Sequence, residues 1–383
     1  MDLEFGEEEA ELRDNVRAVL AGICPPAAVR ALYDHGQEST AIWDQMVELY
    51  WPALAIDEAH GGLGLGFVEL AIVAEEIGRA AAPSPWLATA TQFAPVIAEL
   101  GDADQQAQYL SAVAAGRTTG TLALAEQGRW RLEDLRATAT PTGSGSWLLD
   151  GLKESVFDGA TADELVVVAR AGSGFGAFVV PRSRVVSVAR SVIDPTWPVA
   201  DIELGGVEVG ADRVLGEPGT AQVVAGLDRA VQAATVAIAT ATAGTCRVIF
   251  ERTLEYAKLR EQYGKPIGSF QAIKHRLADM YLAVERATSL CYFAALTIAE
   301  EDPRRPEAAS IAKAAAGECQ RLVVGEGLQL HGGIGYTWEN DLHFWLKRAK
   351  AGDAMFGNAA THRTVLAALI GLTPARDASE VAA

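Results

Sequence analysis

The sequence predicts an α+β chain of three consecutive units: helical, then antiparallel β, then helical. Two observations carry this. Apolar residues recur at helical spacing up to about residue 117 and again from residue 222 onward. Between them, short β-branched and aromatic runs alternate with clusters of Gly, Pro, Ser and Asp. Blocks in that order imply separate units rather than βαβ alternation. The expected domains are 1–117 (α-helical), 118–221 (antiparallel β) and 222–383 (an α-helical bundle).

The elements follow in order. In the first unit, Glu9 to Leu20 places Leu12, Val16, Val19 and Leu20 on one stripe. Glu69-Leu-Ala-Ile-Val-Ala-Glu-Glu-Ile-Gly78 and residues 104–115 repeat the habit. Between them Glu58-Ala-His-Gly-Gly-Leu-Gly-Leu-Gly66 is too glycine-rich for a helix interior and reads as a loop. In the second unit, Leu165-Val-Val-Val-Ala169, Ala177-Phe-Val-Val180 and Val185-Val-Ser-Val188 read as strands. The third unit reads as long helices from 222 to Arg260, Phe270 to about Glu301 and Glu307 to about Gln329, with shorter ones after.

Composition narrows the function classes. Of 383 residues half are hydrophobic and 21% charged, as in a globular chain of two or three domains. A formal net charge of -18, with no block of Lys and Arg, argues against nucleic acid as a partner. The four cysteines (Cys24, Cys246, Cys291, Cys319) show neither a CxxC pair nor metal-ligand spacing, so reduced, buried thiols and no metal are expected. The opening Met1-Asp-Leu-Glu-Phe-Gly-Glu-Glu-Glu9 is acidic where a signal peptide would be basic, which favours a cytoplasmic location. The apolar run at 223–246 is broken by Asp228 and Arg229 and is rich in Ala and Thr. A buried helix explains it better than a membrane insertion.

Two interhelical turns carry candidate chemistry. Arg260-Glu-Gln-Tyr-Gly-Lys-Pro-Ile-Gly-Ser-Phe-Gln271 offers a guanidinium able to pair with a diphosphate, a flat ring at Tyr263 and a donor–acceptor amide at Gln271. An ordinary loop with a capping arginine uses the same residues. Gln329-Leu-His-Gly-Gly-Ile-Gly-Tyr336 follows a Gln with three glycines, which lets backbone amides approach a ligand closely. Each turn closes a long helix, and together they are more specific than either alone.

These turns, with His60-Gly-Gly-Leu-Gly-Leu-Gly66 and Glu69 to Arg79, resemble the acyl-CoA dehydrogenase family over nearly the whole chain. The resemblance implies an N-terminal helical domain, a middle β domain, a C-terminal four-helix domain and tetrameric assembly. It implies that Arg260, Tyr263 and Gln271 contact the pyrophosphate and adenine side of FAD. Gln329, His331 and the backbone at Gly332 and Gly333 would do likewise. In the family these turns reach an FAD bound mainly by the neighbouring subunit.

The departures are as informative as the matches. Counting from Gln329, with Arg363 falling correctly on a family arginine, the family's catalytic glutamate lands on Phe356. The alternative base position, counted back from Arg260, is Ala234, and the CoA-contacting arginine beside it is Thr235. Neither Phe nor Ala can remove an α-proton. The family's loop lining flavin and acyl chain stands here as Ala125-Glu-Gln-Gly-Arg-Trp130, and its flavin-packing Trp-Ile-Thr as Ser155-Val-Phe157. The expectation is therefore a subunit with no catalytic residue of its own. It would share FAD with a catalytic acyl-CoA dehydrogenase subunit in an α2β2 complex that acts on bulky, steroid-type acyl-CoA and passes electrons to an electron-transfer flavoprotein. The alternative is a homo-oligomeric, stand-alone flavoenzyme. It would be a dehydrogenase with a displaced base (Glu126, Glu339 or His343) or a flavin-dependent monooxygenase.

Overall fold

The computed structural model describes residues 6–36, 40–143 and 145–372, so residues 1–5 of the acidic opening lie outside it. The N-terminal helices are α1 (Glu7–Ile23), α2 (Pro26–His35), α3 (Thr40–Glu48), α4 (Phe67–Ala80), α5 (Trp86–Ala88), α6 (Ala94–Leu100) and α7 (Ala103–Ala114). Glu7, Glu8 and Glu9 in the first turn of α1 suit the positive end of its dipole. At α7 the Asp102 side chain accepts from Gln105 N at 2.8 Å and Gln105 returns the bond to Asp102 N at 3.0 Å. A π turn over Thr89–Phe93 joins α5 to α6. Pro95, which has no N–H to give, follows directly.

The middle strands are β1 (Gly120–Ala123), β2 (Thr138–Pro141), β3 (Trp147–Asp150), β4 (Leu152–Phe157), β5 (Glu164–Ala171), β6 (Gly174–Pro181), β7 (Val186–Ala189), β8 (Val199–Glu203), β9 (Val207–Val209) and β10 (Val214–Leu215). One sheet runs β10-β6-β5-β2-β3-β9, with β1 also on β5, and a second runs β4-β8-β7. Most pairings are antiparallel, as expected. β5 differs, because its free edge takes β1 at one end and β2 at the other, both parallel to it. Leu149, Val156, Leu165, Phe178, Val180 and Ile202 fill the space between the sheets.

The C-terminal bundle comprises α8 (Ala221–Leu259), α9 (Gln271–Ala299), α10 (Arg305–His331), α11 (Leu342–Ala354) and α12 (Ala359–Leu369). Both α8 and α9 are long and apolar enough by composition to cross a membrane. In the fold, 89% of the apolar window of α8 is buried inside the protein, and 39% of that of α9. Helix α4 crosses α8 at bare backbone: a Cβ at Gly78 would stand 1.9 Å from Ala241 O, and one at Gly244 2.2 Å from Glu75 O. This crossing joins the N-terminal helices and the bundle into one core. All four cysteines are free and buried.

Candidate functional site

The sequence singles out residues that fold into two regions, one open and one filled. The open region forms where α8 and α10 end. Arg260 caps α8 in an extended conformation, and its N–H still donates to Tyr256 O at 2.8 Å. A hairpin follows, β11 (Glu261–Gln262) against β12 (Lys265–Pro266). Tyr263 and Gly264 turn it at φ 54° and 76°, the left-handed pair that a two-residue hairpin requires. Ile267 N donates back to Arg260 O at 2.7 Å, and α9 then opens at Gln271.

The second turn lies beside the first. The Tyr256 ring stacks on His331 at 4.4 Å and 18°, and its hydroxyl donates to His331 O at 3.4 Å. Gly332 takes φ 62° and ψ -144°, a conformation open only to glycine, and donates to Gln329 O and Leu328 O. Gly333 has ordinary φ, and a Cβ there would meet nothing within 4 Å. Its bareness is thus not required by packing within the chain.

Arg260, Tyr263, Gln271, Gln329, Gly332 and Gly333 are all exposed. Arg260 makes no ion pair among the described residues. Tyr263 is 92% exposed and Leu259 79%, an unusual display of apolar surface for a chain standing alone. His331 differs from the expectation. Its side chain is buried, Nδ1 bonds Gly327 O at 2.8 Å, and burial pushes its pKa down. The ring therefore steadies the turn from beneath, and the exposed surface begins only at Gly332.

The other region gathers the departures noted in the sequence, with aromatic rings on its walls. Phe356 sits in a reversal after α11 at φ 54°, with Gly357 at φ 91°. His362 Nε2 donates to Phe356 O at 2.9 Å, and Lys313 Nζ donates to Gly357 O at 2.7 Å and to Asp353 O at 2.9 Å. The Phe356 ring is 3% exposed and lies 4.7 Å from the ring of Trp130, inclined at 34°. Trp130, Phe356 and Thr235 line one cavity of about 490 Å³ beside the starts of α8 and α10. Ala234 is fully buried next to them.

The Ser155-Val-Phe157 segment is filled in the same manner. Phe157 packs on Trp197 at 5.7 Å, and both rings are 2% exposed. The Arg348 guanidinium lies 4.5 Å from the Trp197 centroid and donates to Asp194 Oδ2 at 2.8 Å. It also donates to Ala81 O at 3.1 Å, so one buried arginine ties together all three units. Aromatic rings occupy the cleft between the β domain and the bundle.

The suggested replacement bases are committed elsewhere. Glu126 accepts from Arg136 N at 2.6 Å and Ala137 N at 3.1 Å, and it pairs with the fully buried Lys153. Burial pushes the Lys153 ammonium down to about 8. Glu339 is exposed, and His343 is stacked on Trp338 at 4.5 Å. Sequence reasoning missed titratable groups that line the 490 Å³ cavity, among them Glu133, Asp134, Asp228 and His362. Burial raises the pKa of the Asp228 carboxyl and lowers that of His362 to about 4. Nothing local in the sequence marks either one, since only the tertiary fold turns them toward Phe356.

The two regions fit a flavin nucleotide differently. The turns offer a guanidinium with no ion pair among the described residues and a bare backbone at Gly333, groups suited to a diphosphate. At the cleft the Phe157 ring is already packed on Trp197.

Comparison with known proteins matches the chain to two family descriptions. Acyl-CoA dehydrogenase, N-terminal domain, covers residues 6–117, and acyl-CoA dehydrogenase, C-terminal domain, covers residues 227–371. Acyl-CoA dehydrogenase IpdE2 of Mycobacterium tuberculosis is 32% identical over 90% of this chain and 91% of its own length. A chain of the ChsE4–ChsE5 complex of M. tuberculosis superposes with a TM-score of 0.88 at 28% identity, covering 98% of this chain and 100% of that one. A variant of the Tcur3481–Tcur3483 steroid ACAD superposes with a TM-score of 0.87 at 30% identity, covering 96% and 98%. The chain belongs to the acyl-CoA dehydrogenase family.

Proposed function

We propose that this chain is a non-catalytic subunit of a heteromeric, FAD-dependent acyl-CoA dehydrogenase, contributing its two exposed turns to a cofactor housed by a catalytic partner. One observation carries the reading. The turns and the Phe356 cavity lie at opposite ends of α8 and α10. From Thr235 to Arg260 the helix rises roughly 35 Å at about 1.5 Å per residue. That is farther than one extended flavin dinucleotide reaches, so turns and cavity do not serve the same cofactor. The turns are left to serve another chain's.

In this reading Arg260 pairs with the diphosphate, Tyr263, Gln271 and Gln329 meet the adenine side, and the bare backbone at Gly332 and Gly333 lets the cofactor approach closely. FAD, when bound, supplies the hydride acceptor for α,β-dehydrogenation of an acyl-CoA thioester, and the partner supplies the glutamate base. An α2β2 assembly with one FAD per heterodimer follows, with an electron-transfer flavoprotein as acceptor. The structural neighbours whose names join two proteins, one called a steroid ACAD, support the heteromer and a bulky steroid-type acyl group.

A second reading has one specific observation behind it. Asp228 lines the Phe356 cavity, where partial burial raises the pKa of its carboxyl. In a stand-alone flavoenzyme Asp228 would replace the missing glutamate. Acyl-CoA-dependent flavin reduction by the purified chain with added FAD decides between them. The subunit reading expects none. Turnover that disappears in Asp228→Asn would establish the second reading.

A further inference from the structure

The glycine turn after α10 is one short 3-10 turn, Gly332–Tyr336, with few contacts of its own. Gly332, Gly333 and Ile334 are exposed, and the bundle holds the turn through His331 and through Gly335, which is buried against Leu328. The other end runs into Trp338, and there the contacts come from α11 and from α2, more than three hundred residues back. Trp338 Nε1 donates to Asp34 Oδ1 at 2.6 Å. The Lys347 ammonium lies 4.6 Å from the Trp338 centroid and 4.6 Å from the Tyr33 centroid, held between two rings. The indole stacks on His343 at an interplanar angle of 24°.

Neighbouring contacts reinforce the same link. Arg30 donates to Asp341 Oδ1 at 2.5 Å, and the Tyr33 hydroxyl donates to Asp194 Oδ1 at 3.0 Å. Asp194 is also the partner of the buried Arg348. Arg30, Tyr33 and Asp34 stand at i, i+3 and i+4, so a single face of α2 grips the segment that leaves the turn. Trp338 itself is 49% exposed. A tryptophan half in water is a poor core filler, whereas its hydrogen bond and ring stack fix direction.

We propose that Trp338, clasped by Asp34 and Lys347, is a positioning residue for the cofactor. It holds the glycine turn preformed, so that the bare backbone at Gly332 and Gly333 already has the shape a diphosphate needs before one arrives. The proposal rests on the cross-interface reading above. Ordering a glycine-rich segment costs backbone entropy, and a turn ordered in advance does not charge that cost to binding.

The test has two parts. In the chain alone, without FAD, Trp338→Ala should speed hydrogen exchange of the 332–336 amides about tenfold, leaving the amides of α8 unchanged. Trp338→Phe keeps the stack and should retain most of the protection. In the complex with its catalytic partner, Trp338→Ala should raise the FAD dissociation constant about tenfold, and Lys347→Met by a smaller factor. Unchanged exchange in the turn overturns the proposal, as does faster exchange spread through the whole bundle. If Arg260→Ala weakens FAD binding and Trp338→Ala does not, the positioning role fails alone. If neither weakens it, the cross-interface reading fails and takes this proposal with it.

Discussion

The two ends of the C-terminal bundle have followed opposite courses. At the end carrying Arg260 and Gly332, polar and glycine residues stay exposed and unengaged, though a lone chain gains nothing by displaying Tyr263 and Leu259. At the other end, Phe356 and Trp130 pack together on the wall of a cavity, and farther along the bundle Phe157 with Trp197 is buried against Arg348. Both ends are built on the same two helices, so drift in the fold does not account for the contrast. Set against the family's pattern, the departures fall at a pocket within the chain and the matches face outward. A division of that kind points to a remaining duty at an interface.

The largest effect that could break the contrast is catalytic. A missing general base costs about 10²–10⁴-fold, so the single chain should show no useful acyl-CoA dehydrogenation. Phe356→Glu should not restore it, in the chain alone or with a partner whose own base has been removed. Trp130, Phe157 and Thr235 would still deny flavin and thioester their reacting geometry. Substantial recovery, followed as acyl-CoA-dependent flavin bleaching, would show the cavity to be intact.

Next is the filling itself. If Trp197 is a packed core residue, Trp197→Ala should destabilise the chain by about 3–5 kcal/mol, read from urea midpoints. A loss below about 1 kcal/mol, within the range of ordinary surface substitutions, would mean that the cleft is loosely occupied.

A smaller effect sharpens the picture of the Phe356 loop. His362 is held neutral, its pKa lowered from 6.5 to about 4 by burial. Between those values the unfolded chain binds a proton that the folded chain refuses. Stability is therefore full above pH 6.5 and falls as pH drops toward 4, by up to roughly 3 kcal/mol. His362→Gln should flatten that slope in unfolding measured at pH 7 and pH 4.5. A slope unchanged in the variant would assign the acid sensitivity to other groups.

The smallest effect belongs to the open end. Arg260→Ala in the assembled complex should weaken FAD binding by about 1.5–3 kcal/mol, the range for hydrogen bonds to charged groups. The melting temperature of the subunit should not move. Unchanged flavin affinity would reduce the turn to an ordinary capped loop.

Much of this was legible in the sequence, for physical reasons. The α, β, α order rests on periodicities that are local, and the glycines and Arg260 announce a turn without any tertiary contact. Phe356 and Ala234 were legible as absences once a frame was available. The filling of the cleft was not, because Trp197 and Arg348 meet Phe157 only through the packing of three units. Nor was the inward ring of His331, whose direction is set by stacking on Tyr256. The parallel placement of β1 and β2 on β5 is likewise a matter of pairing between distant residues, to which alternation along one strand is blind.

The central claim is that this chain lends its turns to a flavin held by another. Flavin stoichiometry tests it most directly, measured by absorbance on the chain expressed alone and on the complex co-expressed with a family member that keeps its glutamate. The account predicts a colourless single chain and one FAD per heterodimer. A yellow single chain holding one FAD per polypeptide would contradict it.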